Sequence, residues 1–209
     1  MAIYLNIISN KEWSNGLKEL PLEYRDYAIW QHDWSLSSEF KSSLEFWEEK
    51  FFDRPLTLSF FNSSNKKGLN PRDSLTTKTS VGPLITRRLR RIAKQNKTSM
   101  FNLLITIYGL FLSRHVNEQK ISIGTPITGR TNEKLEGLIG FFVDILVYPL
   151  EIDEEETFSK ALNSTKNISQ QILQNSKVPF DQIVKHLAPD RDELGQPLFQ
   201  KLSQISTGQ

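Results

Sequence analysis

The chain contains no cysteine among its 209 residues, and it contains only three histidines, His32, His115 and His186. The absence of cysteine excludes disulfide bonds, thiolate nucleophiles and cysteine-ligated zinc. It is also typical of a reducing compartment, so we expect a cytoplasmic location. No histidine has a second one at metal-ligand spacing, so we expect no metal site. A Gly-x-Ser-x-Gly nucleophile elbow is missing too. The residues alone therefore predict no catalytic group.

Long apolar runs and a strong charge excess are also lacking. No stretch reaches the ~18 apolar residues of a membrane span, and the first ten residues lack the basic start of a signal peptide. The net charge is only +2 at pH 7, so no global field attracts the chain to nucleic acid or an anionic membrane. What is present is a hydrophobic content of 38% with 13 phenylalanines. That content can build the core of one large domain or two small ones.

Helical and extended patterns alternate along the chain. Residues 24–52 carry aromatic side chains at roughly helical spacing, which predicts one helix or two. Pro83 stands at a favoured first-turn position, and Ser99 is a suitable N-cap for the apolar helix that follows. Further helices are predicted over residues 101–112, 157–175 and 179–187. Strands are predicted over residues 75–81, 121–123, 140–150 and 198–205. Loops are predicted over residues 62–73 and 189–197. This order predicts an α/β fold, a two-layer sandwich in which helices cover a mixed sheet.

The helix after Pro83 has two unlike faces. Its apolar stripe, which we expect to be buried, consists of Leu84, Ile85, Leu89, Ile92 and Ala93. Arg87, Arg91 and Lys94 share the opposite face. A solvated helix face explains these charges most simply. The alternatives are docking of an acidic partner and, because no aromatic residues interleave with the cations, a weaker case for nucleic acid.

The stretch from Ile121 to Leu150 is the most informative part of the chain. It predicts a strand at Ile121–Ile123, a turn at Gly124–Pro126, a polar loop, and a second strand from Gly140 to Leu150. Apolar side chains alternate onto both faces of the second strand, which predicts that both faces are covered. Only Asp144 interrupts this pattern, so we expect its carboxylate to have a partner or to line a wet channel.

The segment Gly124–Thr131 also has the glycine spacing of a phosphate-binding P-loop, with Arg130 in place of lysine. Pro126 removes one of the backbone N–H donors that a bound phosphate needs, and residues 135–140 are a poor match to the helix that follows a P-loop. A turn that leaves a strand explains these residues more simply than a nucleotide site.

Four short motifs in this order resemble those of nonribosomal peptide synthetase condensation domains. They are YRDYAIWQ at 24–31, GTP at 124–126 with GRT at 129–131 and LEGLIGFFV at 135–143, VPFD at 178–181, and RD at 191–192 with PLFQ at 197–200. The family has a chloramphenicol-acetyltransferase-like fold in two lobes with a tunnel between them. The resemblance identifies residues 21–209 with the C-terminal lobe and leaves residues 1–20 as a lead-in segment.

The resemblance also implies a function and its partners. The family joins a donor thioester and an acceptor amine that are tethered to carrier proteins. Its His-His-x-x-x-Asp-Gly motif belongs to the first lobe and does not occur in this sequence. We therefore expect the chain to be inactive alone and to need a first lobe. Carrier proteins with their phosphopantetheine arms would be its other partners, and the chain would hold no covalently bound cofactor. We expect no membrane or nucleic-acid partner.

Roles for individual residues follow from the same resemblance. The tunnel would be lined by Gly124, Pro126, Arg130, Gly140, Phe142 and Asp144. Residues 130–142 would form the loop that floors it. Asp144 stands where the family usually shows asparagine, Pro149 near a usual arginine, and Asn175 where histidine is common. The surface left bare by a missing first lobe is expected to include Phe141, Phe142, Leu198 and Phe199, and such a surface would favour self-association.

Two other functions stay open. The chain could be a non-catalytic interaction module that docks carrier proteins through Arg87, Arg91 and Lys94, or that associates with itself. It could also be an independent acetyltransferase, which would need a general base from His32, His115 or His186.

Overall fold

The computed structural model describes residues 20–54, 79–130, 132–153, 155–187, 198–199 and 201–203. The helices are α1 (Tyr24–Ser35), α2 (Ser38–Phe51), α3 (Pro83–Gln95), α4 (Met100–Val116), α5 (Phe158–Gln174) and α6 (Phe180–Leu187), and the strands are β1 (Lys120–Thr128), β2 (Val143–Glu151) and β3 (Lys201–Leu202). A 3-10 turn spans Glu133–Leu135. The helices predicted from the sequence are confirmed, with residues 24–52 forming two. The predicted loops at 62–73 and 189–197 and most of the strand predicted at 75–81 lie outside the described residues.

The described strands form one mixed sheet in the order β2-β1-β3. β1 pairs antiparallel with β2, so that Ile123 lies opposite Tyr148, and it pairs in parallel with β3. Helix α4 packs on β1, and both α5 and α6 pack on β2. Residues 146–150 of β2 are all buried, so the prediction that this strand is covered on both faces is confirmed for that part. It is wrong for the start of the predicted strand, where Phe141 and Val143 are exposed. The fold is thus α/β, with helices packed on a mixed sheet.

The predicted turn at Gly124–Pro126 is wrong, because β1 continues through it to Thr128. Ile152 N–H donates to Gln119 O and Gly129 N–H to Phe142 O, so the odd-numbered residues of β1 direct their backbone groups at β2. Pro126 is even-numbered and turns its nitrogen away from β2. β3 pairs with Ile123 and Gly124 only. A proline there removes no bond to β2, which is why the strand tolerates it.

The packing of α3 differs from the prediction at its first turn. Leu84 and Ile85 are 63% and 55% exposed, whereas Ala93 is buried. Leu89, Ile92 and Ala93 pack with Leu103 of α4 and Leu162 of α5. The helix is therefore held through its C-terminal half, and its N-terminal apolar side chains stay open to solvent. Helix α4 is apolar on nearly every side, which predicts a buried helix, but it similarly exposes Ile107 and Phe111.

Arg54 ties the end of α2 to the outer strand β2. Its side chain is 4% exposed. The guanidinium donates to the carbonyl oxygens of Lys50 (2.6 Å), Leu150 (3.0 Å) and Pro149 (3.1 Å) and to a carboxylate oxygen of Glu151 (3.1 Å). Burial lowers the pKa of Arg54, and the nearby Glu151 carboxylate opposes this shift. Pro149 pairs with even-numbered Ser122, so its carbonyl points away from β1. The bond from Arg54 therefore occupies an acceptor on the free edge that β2 has among the described strands.

Candidate functional site

The loop between β1 and β2, residues 129–142, is closed and filled by its own side chains. Gly129 N–H donates to Phe142 O where the two strands diverge. Inside the loop, the Arg130 guanidinium donates to the carbonyl oxygens of Leu135 and Leu138, the latter at 2.8 Å. It also lies 4.1 Å from the centre of the Phe142 ring. Arg130 therefore acts as an internal strut of the loop.

Helix α1 is fastened to the same loop through aromatic side chains. The Phe142 ring is 5% exposed and lies 5.3 Å from Tyr24 in an edge-on arrangement and 5.0 Å from Tyr27. The Tyr24 hydroxyl donates to Phe141 O at 3.2 Å. A Cβ atom at Gly140 would collide with the Tyr24 ring. Glycine is therefore required for α1 to approach the loop this closely.

Residues 139–143 have a side that faces away from α1, and this side is apolar and exposed to solvent. Ile139, Phe141 and Val143 are 88%, 80% and 57% exposed, whereas Leu138, just before them, and Phe142, between Phe141 and Val143, are buried. β2 begins at Val143 and not at Gly140 as predicted. Exposed apolar side chains nevertheless occur at every second position from Ile139 to Val143, so residues 139–143 have one exposed apolar face.

The expected bare surface is wrong for three of its four residues. Phe141 is exposed as expected, but Phe142, Leu198 and Phe199 are buried. Phe142 lies under α1, and the Phe199 ring lies 5.6 Å from that of Phe180 and covers Gly124. Sequence alternation could have separated Phe141 from Phe142, but the burial of Phe199 depends on contacts between segments far apart in sequence.

Asp144 is half-buried in β2 and is partnered by backbone groups. Its Oδ1 accepts the N–H of Ile145 at 2.8 Å and that of Phe180 at 3.2 Å. Burial raises the pKa of the Asp144 carboxyl, and the two hydrogen bonds oppose that rise. The carboxylate therefore links β2 to the first turn of α6, where the positive end of the helix dipole favours an acceptor.

Gly124 and Pro126 lie in β1 as parts of the wall. A Cβ atom at Gly124 would meet ring atoms of Phe199 at 2.6 to 2.9 Å, so the glycine makes room for that ring. Pro126 lies opposite Ile145 in the register. Besides Asp144, two residues depart from the family pattern. The Pro149 carbonyl accepts a hydrogen bond from Arg54, and the Asn175 carbonyl accepts the indole N–H of Trp47 at 3.3 Å.

The three histidines all lie on exposed helix surfaces. His186 Nε2 is 3.2 Å from a carboxylate oxygen of Glu48, and the ring of His115 is 4.5 Å from that of Phe111. Across the described ranges, no three histidine or carboxylate side chains group as metal ligands would. The arrangement offers an apolar wall on a rigid loop but no buried imidazole, which does not favour an independent acetyltransferase.

The basic face of α3 is exposed at Arg87, Arg91 and Lys94. None of these side chains forms an ion pair with another described residue. Within the same ranges, no helix is long and apolar enough to cross a membrane.

Solved structures place the fold in the chloramphenicol-acetyltransferase-like class. The condensation domain of the monacolin K polyketide synthase MokA superposes with a TM-score of 0.72 at 21% identity, over 90% of this chain and 46% of that one. The X-domain from teicoplanin biosynthesis, in its complex with OxyB, gives 0.77 at 17% identity, over 96% of this chain and 45% of that one.

Sequence comparison then gives the family. A family model described as "Condensation domain" matches residues 1–207. Gramicidin S synthase 2 of Brevibacillus brevis is 29% identical over 188 residues, and bacitracin synthase 3 of Bacillus licheniformis is 30% identical over 199. The matches cover 90% and 95% of this chain but only 4% and 3% of these relatives. The chain belongs to the condensation-domain family, whose general function in nonribosomal peptide synthesis is amide-bond formation.

Proposed function

We propose that residues 21–209 are the C-terminal lobe of a condensation domain, with residues 1–20 as a lead-in segment, and that the lobe forms one wall of an amide-forming chamber. The observation that carries this proposal is the family match over residues 1–207 in a chain that spans less than half of the solved condensation domains. The sequence contains no His-His-x-x-x-Asp-Gly, so the base has to come from a first lobe.

In the proposed reaction, the acceptor amine attacks the carbonyl carbon of a thioester on the phosphopantetheine arm of a carrier protein. The new C–N bond forms as the C–S bond breaks. The base removes the proton from the amine nitrogen, and the departing thiolate sulfur takes up a proton. Positioning two tethered substrates beside that base supplies much of the rate. The phosphopantetheine arm belongs to the carrier proteins and not to this chain.

In this reaction the chain would position the substrates and exclude water from the reacting atoms. The exposed apolar stripe Ile139, Phe141 and Val143 is the proposed inner surface. Arg130, Gly140 and Phe142 hold that stripe in place from behind, because all three pack within or directly against the closed loop. In the same way Gly124, Pro126 and Asp144 belong to the wall as supports. A fixed wall keeps the reacting atoms within the narrow range of geometry that such a step tolerates.

Reconstitution tests this proposal. The chain is mixed with a separately expressed first lobe and with carrier proteins loaded with donor and acceptor, and the peptide product is measured by mass spectrometry. We expect product only when both lobes are present, and less of it with Phe141→Asp, which charges the inner surface. Lys41→Glu, on the exposed surface of α2, is the matched control. A stable complex of the two lobes that yields no product would contradict the proposal.

A non-catalytic interaction module is the second candidate. It is favoured by the likeness to the teicoplanin X-domain, a structure determined in complex with OxyB. In this case the fold serves as a binding surface, and the chain would associate with carrier proteins or with itself. Tight binding that is unaffected by Phe141→Asp, together with absence of condensation, would favour this function over the first.

A further inference from the structure

Charge is strongly segregated along the chain. Residues 74–117 contain eight lysines and arginines and no aspartate or glutamate, although the net charge of the whole chain is only +2. The rest of the chain therefore carries an excess of six acidic residues. An acid-free segment of this length places an uncompensated positive field on whichever surface displays it.

That surface is the outer face of α3. Its cations Arg87, Arg88, Arg90, Arg91 and Lys94 are all exposed, and none forms an ion pair with another residue in the described ranges. Leu84 is 63% exposed on the same helix. It lies three and four positions before Arg87 and Arg88 and seven before Arg91, so these four side chains share one face. Leu84 therefore shares its helix face with three arginines and does not lie opposite Arg87 and Arg91 as predicted.

Leu84 takes no part in the core that holds α3. The helix is anchored by Leu89, Ile92 and Ala93, which lie further along it. The apolar side chains left open around Leu84 are Val81 and Ile85. This apolar area is small for insertion into a bilayer, which needs a broad apolar face. A partner that brings carboxylates around one apolar contact fits the surface better, because arginine pairs with carboxylates through two parallel hydrogen bonds.

We propose that Leu84, Arg87, Arg88 and Arg91 form a docking surface for an acidic helical surface of a carrier protein. The inference rests on the proposed function, and it adds an apolar centre, Leu84, and a further cation, Arg88, to the docking face expected from the sequence. Lys94 lies ten residues beyond Leu84, about 15 Å along the helix, and belongs to the rim. The guanidinium groups set the encounter rate and orientation, and the leucine supplies the desolvated centre on which affinity depends.

The test is titration of the chain with an apo carrier protein, which lacks the arm, at about 25 and 300 mM salt. For Arg88→Glu we expect Kd to rise about tenfold at low salt and less at high salt, because exposed charges are screened. For Leu84→Ala we expect a rise of about five- to tenfold at both salt concentrations, because an apolar contact is not screened. Lys41→Glu, which makes the same charge change on α2, should bind as the wild type does.

Either of two results overturns this inference. The first is a Kd unchanged by both α3 variants, or no binding at all. The second is equally tight, Leu84-dependent binding to phosphatidylglycerol vesicles, which would make the surface a membrane contact. Condensation in the reconstituted mixture with normal docking of both variants would remove the docking surface and leave the proposed function intact. Binding that both variants weaken as expected, without condensation in the reconstituted mixture, would remove the proposed function and leave the docking surface intact.

Discussion

Replacing Arg130 with methionine should loosen the loop between β1 and β2 without unfolding the protein. Methionine keeps the apolar stem of the side chain and removes the guanidinium. The change therefore deletes the hydrogen bonds to the carbonyls of Leu135 and Leu138 and the contact with the Phe142 ring. The backbone hydrogen bond between Gly129 and Phe142 remains. The ends of the loop therefore stay joined, but its interior loses the guanidinium group.

The size of the effect follows from these contacts. A hydrogen bond to a charged group contributes about 1.5–3 kcal/mol, and a cation–π contact at a partly exposed site about 0.5–1 kcal/mol. Two such hydrogen bonds and one such contact sum to roughly 7 kcal/mol, which is an upper bound on the free energy lost. Water can reach carbonyls of a surface loop and replace part of the loss, so we expect the local opening free energy to fall by about 2–3 kcal/mol.

Hydrogen exchange monitored by mass spectrometry measures this directly. A loss of 2–3 kcal/mol predicts that amides of residues 132–142 exchange about 30- to 150-fold faster, while those of α5 are unchanged. Lys134→Met is the matched control, because this substitution removes the same charge from an exposed position on the same loop. Exchange within threefold of wild type in the Arg130 variant would refute the role of Arg130 as a strut.

Other substitutions test the rest of the scaffold by thermal or denaturant unfolding. Arg54→Met should lower the unfolding free energy by about 2–4 kcal/mol, because it removes the hydrogen bonds of a buried side chain and leaves the Pro149 carbonyl without this donor. A loss below about 0.5 kcal/mol would contradict the role of Arg54 in joining the end of α2 to β2. Gly124→Ala should cost about 1–3 kcal/mol by overpacking against Phe199, and an unchanged midpoint would show that the ring moves freely. Burial raises the folded-state pKa of Asp144. Stability is therefore lost as pH rises from the unfolded value of about 3.9 through the folded one. Asp144→Asn keeps the acceptor and should raise the melting temperature at pH 7 and flatten its dependence on pH, whereas an unchanged dependence on pH would count against this account.

Much of the fold could be predicted because its signals are local. The Ser99 side chain caps α4 because the first helical turn has free N–H groups that need an acceptor. Pro83 begins α3 because the same turn tolerates a residue that has no N–H group. The continuous apolar character of β2 predicted the burial of both faces over residues 146–150. Asp26 shows the same local logic at the start of α1, where its carboxylate accepts the N–H of Glu23.

The errors have a common physical origin in tertiary contacts. Gly124 and Pro126 read locally as a turn, but pairing with β2 on one side and the ring of Phe199 on the other hold them in a strand. Arg54 gave no signal, because its hydrogen bonds reach carbonyls about 95 residues away. Alternation along the chain could have separated buried Phe142 from exposed Phe141, but it gave no indication that Tyr24 and Tyr27 of α1 would cover the Phe142 ring.

The same contacts explain what the four sequence motifs report. Tyr24 from the first motif packs on Phe142 from the second. Asp144, immediately after the second, accepts the N–H of Phe180 from the third. Phe199 from the fourth covers Gly124, at the start of the second. Motif residues separated by many tens of positions are therefore direct neighbours around one sheet.

It follows that substitutions of these motif residues test folding before they test chemistry. Phe142→Ala, for example, removes a buried aromatic ring and should cost about 3–5 kcal/mol, so loss of product in that variant would not identify a substrate contact. Phe141 is the next residue along the chain, yet its ring is 80% exposed. Its truncation should leave stability within about 0.5 kcal/mol. A fall in product yield for Phe141→Ala at unchanged melting temperature would therefore come from the chamber wall itself, and equal yield would place the inner surface elsewhere.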